Sequence, residues 1–242
     1  MTSELRHQGH TVGPATARTG RRASPAPVLE LAGVSKRWGD LVVLDVVDLV
    51  LLSGQRVRLS GENGVGKTTL LRIASGLILP EGGSVTLDGL RPDRDRRAYH
   101  QRLGYLAAGD RGVYARLTVR QNLEFAAGVA FLHGAGRREA AVAAAIARFE
   151  LQALERRRAD RLSMGQRQRL RLALTFLHEP DVVLLDEPRS SLDSAGLALL
   201  TGALDALVAR GGTALWCAPT GDDDGVSADA AYLLQAAKVV RA

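Results

Sequence analysis

Apolar and polar positions change period several times along the chain, and each change predicts an element. Val28-Leu29-Glu30-Leu31 alternates like a half-exposed strand, and residues 42–52 and Val85-Thr86-Leu87 are further strand candidates, the last running into an Asp88-Gly89 turn. Residues 55–60, with Val57 and Leu59 apolar, read as a strand, and residues 69–74 as a helix. From Thr118 the character shifts. Thr118-Val119-Arg120-Gln121 fits a helix capping box, and the Ala-rich stretch 126–154 is helical by propensity, with a break at His133-Gly134-Ala135-Gly136. Leu170, Leu174 and Leu177 share a helical face, which puts Ser163 and Gly165 at the start of that helix. Val182-Val183-Leu184-Leu185 is an unbroken apolar run suited to a strand buried on both faces, and it ends in two carboxylates, Asp186 and Glu187. The pattern is a small β-rich layer, a helical insertion, and then a buried strand.

The chemistry lies in the connections. Between the strand at 55–60 and the helix at 69–74 stands Gly61-Glu62-Asn63-Gly64-Val65-Gly66-Lys67-Thr68, which fits G-x-x-x-x-G-K-[ST] at every fixed position. Glycines let such a loop curl until successive N–H groups point at phosphate oxygens. The following helix presents its positive end, and Lys67 and Thr68 supply a charge and a Mg²⁺ ligand. A chance glycine-rich turn accounts poorly for a motif set between strand and helix in this way. Carboxylates at the C-terminal edge of a parallel sheet sit where α/β folds place ligand chemistry. There Asp186 suits a Mg²⁺ held through water, and Glu187 suits orientation of an attacking water. Without the phosphate loop the same run reads as a strand followed by an acidic turn. Ser163 and Gly165 taken alone belong to any capped helix with N–H groups free to hold an anion.

Composition narrows the classes further. The 242 residues, 46% hydrophobic and 24% charged, match a globular protein with one or two cores. The best candidate for a membrane span, residues 41–52, is too short and is interrupted by Asp45 and Asp48. The single cysteine, Cys217, excludes an internal disulfide and suits a reducing compartment. The net charge of +6 fits nucleic acid or an anionic membrane surface as a partner, and equally fits solvated basic faces. Residues 1–27 hold Arg6, Arg18, Arg21 and Arg22 among Ser, Thr, Gly and Pro, without the apolar core of a signal peptide, and read as a disordered basic tail.

Taken in order, residues 61–69, Leu162-Ser163-Met164-Gly165-Gln166, residues 182–187 and Ser191-Leu192-Asp193 resemble the Walker A, signature, Walker B and D-loop motifs of ATP-binding cassette (ABC) transporter subunits, with Met164 at a usual glycine. The resemblance runs from about Val28 to the C-terminus. It implies an α/β fold with a P-loop NTPase core, an antiparallel β subdomain, and a helical subdomain inserted at about 118–175, all within residues 28–242. It implies ATP and Mg²⁺ as cofactors. ATP would be bound by Gly61, Asn63, Gly64, Gly66, Lys67, Thr68 and Thr69, with Trp38 in Lys36-Arg37-Trp38-Gly39-Asp40 stacking on adenine. Ser163, Gly165, Gln166 and Asp193 would act across a head-to-tail dimer, Thr68 and Asp186 on the metal, and Glu187 and Lys67 in catalysis. The implied partners are a second ATP-binding subunit, identical or not, and a separately encoded transmembrane permease, without nucleic acid. The implied place is cytoplasmic, on the inner face of the cell membrane.

Two departures qualify the resemblance. The family's glutamine after the strand resembling Leu103-Gly104-Tyr105-Leu106 is replaced by Ala108, Gly109 or Asp110, of which Asp110 is a candidate metal-side substitute. The family's switch histidine falls on Ala218-Pro219-Thr220, and proline has no N–H to offer a γ-phosphate. The loop 110–116 and the short chain resemble exporter branches. Three readings stay open: an exporter ATPase, a slow regulatory ATP-binding module, and a soluble ABC-type protein acting on ribosomes or DNA.

Overall fold

The computed structural model describes residues 26–130, 134–221 and 225–242, so most of the expected basic tail, together with His133 of the expected helix break, lies outside the described residues. The first elements are β1 (Pro27–Trp38), β2 (Leu41–Leu52), β3 (Arg56–Gly61), α1 (Lys67–Ala74) and β4 (Gly82–Leu87). Strands β1, β2 and β4 form a three-stranded antiparallel sheet in the order β2-β1-β4. Its simple alternation is broken at a bulge between Leu31 and Val34, where the register with β2 shifts. The freed donors find side chains: Gly33 N–H donates to Asp48 at 2.7 Å, and Val46 N–H donates to the Ser35 hydroxyl at 3.0 Å. Asp48, which interrupts an apolar run in sequence, is therefore a bulge ligand.

The second sheet adds α2 (Arg96–Gln101), β5 (Leu103–Leu106), β6 (Val182–Asp186), α6 (Ser194–Ala209), β7 (Thr213–Pro219), β8 (Ala230–Gln235) and β9 (Lys238–Arg241) to β3. The order is β5-β6-β7-β3-β8-β9, parallel throughout except for β9. Between β5 and β6 come α3 (Val119–Val129), α4 (Ala135–Arg148) and α5 (Met164–Phe176). Successive residues of the buried strands point to opposite faces and so feed two cores. Val182, Leu184, Leu215 and Cys217 join α1 and the antiparallel sheet, whereas Val183, Leu185, Ala214 and Trp216 join α3 to α6. Each fully buried aliphatic side chain contributes about 1.5–3 kcal/mol, so β6, buried at all five positions, anchors the sheet between both layers.

Several boundaries differ from the sequence reading. Helix α1 begins at Lys67 rather than 69, because Gly66 at φ 118° takes the N-cap and admits Lys67 to the first turn. The helix expected over 126–154 is two: α3 ends at Val129, and α4 starts at Ala135 and stops at Arg148, where Glu150 takes φ 51°. The capping box at Thr118 and Gln121 forms as expected, with both reciprocal hydrogen bonds present.

Candidate functional site

The C-terminal ends of β3, β6 and β7 open on one edge of the sheet, and the loop 61–66 climbs over that edge into α1. Two glycines of the loop are fixed by close approach. A Cβ on Gly61 would lie 2.7 Å from the Leu234 carbonyl oxygen of β8, and one on Gly66 would lie 2.7 Å from Val43 Cγ1 and 3.1 Å from the Val43 carbonyl of β2. Both sheets thus press on the loop, and only glycine fits. Asn63, Gly64, Gly66, Lys67, Thr68, Thr69 and Glu187 line a cavity of about 160 Å³ above the start of α1. The first N–H groups of any helix lack acceptors inside it, so this cavity faces free donors and the positive end of the helix dipole.

Lys67 is buried at 6% exposure and folds its ammonium back onto the loop, donating to the carbonyls of Gly61 at 2.6 Å and Glu62 at 3.0 Å. Thr68 donates its hydroxyl to Asp186 Oδ2 at 2.7 Å, joining residues from α1 and the end of β6. Asp186 is 2% exposed. Burial raises its pKa, opposed by the Thr68 hydroxyl, the Ala108 backbone, and the charges of Arg72 and Lys67. Glu187 follows in the left-handed region at φ 51° and lines both the phosphate-loop cavity and a second one of about 240 Å³. That second cavity also takes in Arg189, Trp216, Ala218 and Pro219. Pro219 pairs in register with Gly61.

Other expected site residues stand apart from this cavity. Trp38 ends β1, 51% exposed, with the Lys36 ammonium 4.7 Å from its ring centroid. Ser163 caps α5 through a reciprocal pair with Gln166, at 3.2 and 3.1 Å, and Met164 projects into solvent at 74% exposure. Gly165 is tight, since a Cβ there would meet the Ser191 carbonyl at 3.0 Å. Asp193 caps α6, accepting from Gly196 N–H at 2.7 Å. Asp110, a candidate metal-side substitute, is instead paired with Arg167 of α5. From this loop it is the Ala108 backbone that acts on Asp186, holding its pKa down against burial. No side-chain pattern announces that effect, nor the seating of Leu234 beneath the loop.

Comparison with known proteins agrees with this geometry. The ABC transporter family model matches residues 44–190, more than half of the chain. The chain is 41% identical over 196 residues to the cytochrome c biogenesis ATP-binding export protein CcmA of Bordetella bronchiseptica, covering 81% of this chain and 84% of that one. It is 35% identical over 166 residues to the probable multidrug ABC transporter ATP-binding protein YbhF of Escherichia coli, covering 69% of this chain but only 28% of the length of YbhF. The fold superposes on the dimeric ABC transporter cassette MJ0796 with a TM-score of 0.78 at 25% identity, covering 88% of this chain and 97% of that one. The chain belongs to the ABC transporter family and carries its ATP-binding ATPase cassette.

Proposed function

We propose that this chain is the subunit that binds and hydrolyses ATP to drive export through a separately encoded permease, working on the inner face of the cell membrane as one half of a cassette dimer. The observation that carries the reading is the 2.7 Å hydrogen bond from Thr68 to Asp186, which joins hydroxyl and carboxylate beside the phosphate cradle. Hard oxygen donors of this kind suit Mg²⁺ shared with nucleotide phosphates. Thr68 and Asp186 would hold the ion, whose positive charge would offset that of the phosphates. Lys67 exchanges the carbonyls of Gly61 and Glu62 for the β and γ phosphates, while Asn63, Gly64, Gly66 and Thr69 hold the rest of the chain of phosphates. Glu187 accepts a proton from the attacking water and aligns it.

Trp38 supplies a face for adenine, and Ser163, Gly165 and Gln166 close the site of the second subunit from the start of α5. Asp193 shapes the segment that meets the partner cassette. The dimeric state of MJ0796 and the export named for CcmA support this arrangement. Among the described residues no helix is long and apolar enough to cross a membrane, which suits a permease on another chain.

A slow-turnover reading has its own observation: Pro219 and Ala218, without a side-chain donor, stand beside Glu187. Steady-state ATPase measured on the purified chain, with and without the membrane protein that copurifies with it, tests both. Turnover with a membrane partner supports the export reading. Binding without turnover in either preparation supports the regulatory one, and absence of any membrane partner overturns the transport assignment.

A further inference from the structure

Helix α5 carries a buried polar chain that neither the phosphate cradle nor the helix cap uses. Arg171 is 5% exposed, and its guanidinium spends its donors on three acceptors. It donates to the Ala107 carbonyl, to the Arg111 carbonyl at 2.9 Å, and to Gln168 Oε1 at 2.5 Å. Gln168, 4% exposed, passes the connection on, because its Nε2 donates to the Pro188 carbonyl at 2.8 Å. One guanidinium therefore clamps both ends of the loop 107–111 and reaches, through one amide, the residue after Glu187. The backbone of Ala108 in the same loop also lowers the Asp186 pKa against the effect of burial.

Arg171 also lines a cavity of about 850 Å³, together with Tyr114, Phe125 and Val129. Arg96, Arg97 and Arg111 join Arg171 in that lining, and no carboxylate among the described residues does. Burial of a cation held mainly by carbonyl and amide oxygens is costly, and a planar fork is the side chain that satisfies three acceptors at once. A lysine ammonium, a compact point donor, reaches fewer of them.

We propose that Arg171 and Gln168 are positioning residues that tie the loop 107–111, at the wall of this cavity, to the Asp186–Glu187 pair, so that a change in either is transmitted to the other. The proposal rests on the hydrolytic reading above for its effect on turnover, but the mechanical link stands without it. Neither residue lines the phosphate-loop cavity. Loss of the link should change how well Glu187 is aimed while leaving the phosphate cradle intact.

The full-length chain is tested as Arg171→Met, Arg171→Lys, Gln168→Leu and the double variant Arg171→Met with Gln168→Leu. Steady-state kinetics should show kcat down about tenfold in each apolar single variant with KM for ATP within about twofold, partial recovery in Arg171→Lys, and a double variant no worse than Arg171→Met. Amide deuterium exchange supplies a readout that needs no turnover. Arg171→Met should speed exchange over residues 187–190, which Arg171 does not touch, and Gln168→Leu should do the same over 107–111. Unchanged exchange at both remote segments overturns the proposal, as does a KM that rises in step with the loss of kcat or a fully additive double variant. If one variant fails to fold, the other carries the same exchange test. A wild type without turnover sinks the hydrolytic reading and leaves the exchange result to decide the relay.

Discussion

Placing a single methyl group on the phosphate loop should separate two costs that glycine avoids. Gly64 sits at φ 79° with nothing within 4 Å of an added Cβ, whereas Gly66 sits at φ 118° with Val43 Cγ1 at 2.7 Å and the Val43 carbonyl at 3.1 Å. Gly64→Ala should therefore cost the backbone term alone, about 1–2 kcal/mol. Gly66→Ala adds overpacking against β2, about 2 kcal/mol more, because a β-branched side chain and a backbone carbonyl have little room to yield. Val43, 7% exposed, offers a release: Val43→Ala alone costs about 2 kcal/mol, but in combination with Gly66→Ala it removes the clash with Cγ1. The double variant should fall short of the summed cost by about 1 kcal/mol. Urea unfolding of the nucleotide-free proteins measures this, and ATP titration of the same set should show Gly66→Ala weakened at least tenfold, beyond Gly64→Ala. Equal stabilities for the two alanine variants, or strict additivity with Val43→Ala, would refute the close approach of β2 to the loop.

Three further outcomes follow from the same site. Glu187→Gln should bind ATP with unchanged affinity and accumulate an ATP-bound dimer, seen by size-exclusion chromatography; a wild type equally persistent as a dimer would mean the carboxylate is not limiting. Pro219→His should raise ATPase turnover, by up to about a hundredfold, because an imidazole beside Glu187 can donate to the developing charge; Ala218→His and Thr220→His serve as neighbours, and no gain at any of the three contradicts that account. Asp186→Asn should abolish Mg²⁺-dependent ATP binding yet stabilise the empty protein at pH 7 by about 1 kcal/mol. The sign follows from the raised Asp186 pKa: its stabilising protonated form is complete below the unfolded pKa and lost as pH rises through the folded one. The gap between wild type and Asp186→Asn should therefore close on acidification, and a gap that widens would contradict the burial of this carboxylate.

Much of the scaffold was legible because its signals are local. The phosphate loop, the capping box at Thr118 and the apolar run into Asp186 each declare themselves within a few residues. What escaped depends on distant partners or on strained turns. Helix α2 has only six residues, and its buried Tyr99 is held by donation to the Ala74 carbonyl at 2.5 Å, a tertiary contact without periodicity. The β8–β9 hairpin turns through Ala236 and Ala237 at φ 46° and 62°, where Asn-Gly would have signalled it. That hairpin matters to the site, since Leu234 of β8 forces glycine at position 61. Gln168 sits in the run Gln166-Arg167-Gln168-Arg169 and Arg171 between Leu170 and Leu172, and nothing in that pattern marks either as a buried contact. Their burial comes from the loops folded over α5, which the helical pattern does not contain.

The central claim is that ATP seats on the loop 61–66 with Lys67 turned to its phosphates. Titration of ATP in the presence of Mg²⁺ into wild type and Lys67→Ala, both shown folded by circular dichroism, tests it most directly. Lys67 gives up two loop carbonyls for two phosphates, so its removal should weaken ATP at least about a hundredfold, close to 2.7 kcal/mol, while the fold persists. Equal ATP affinity in the two proteins would contradict the account.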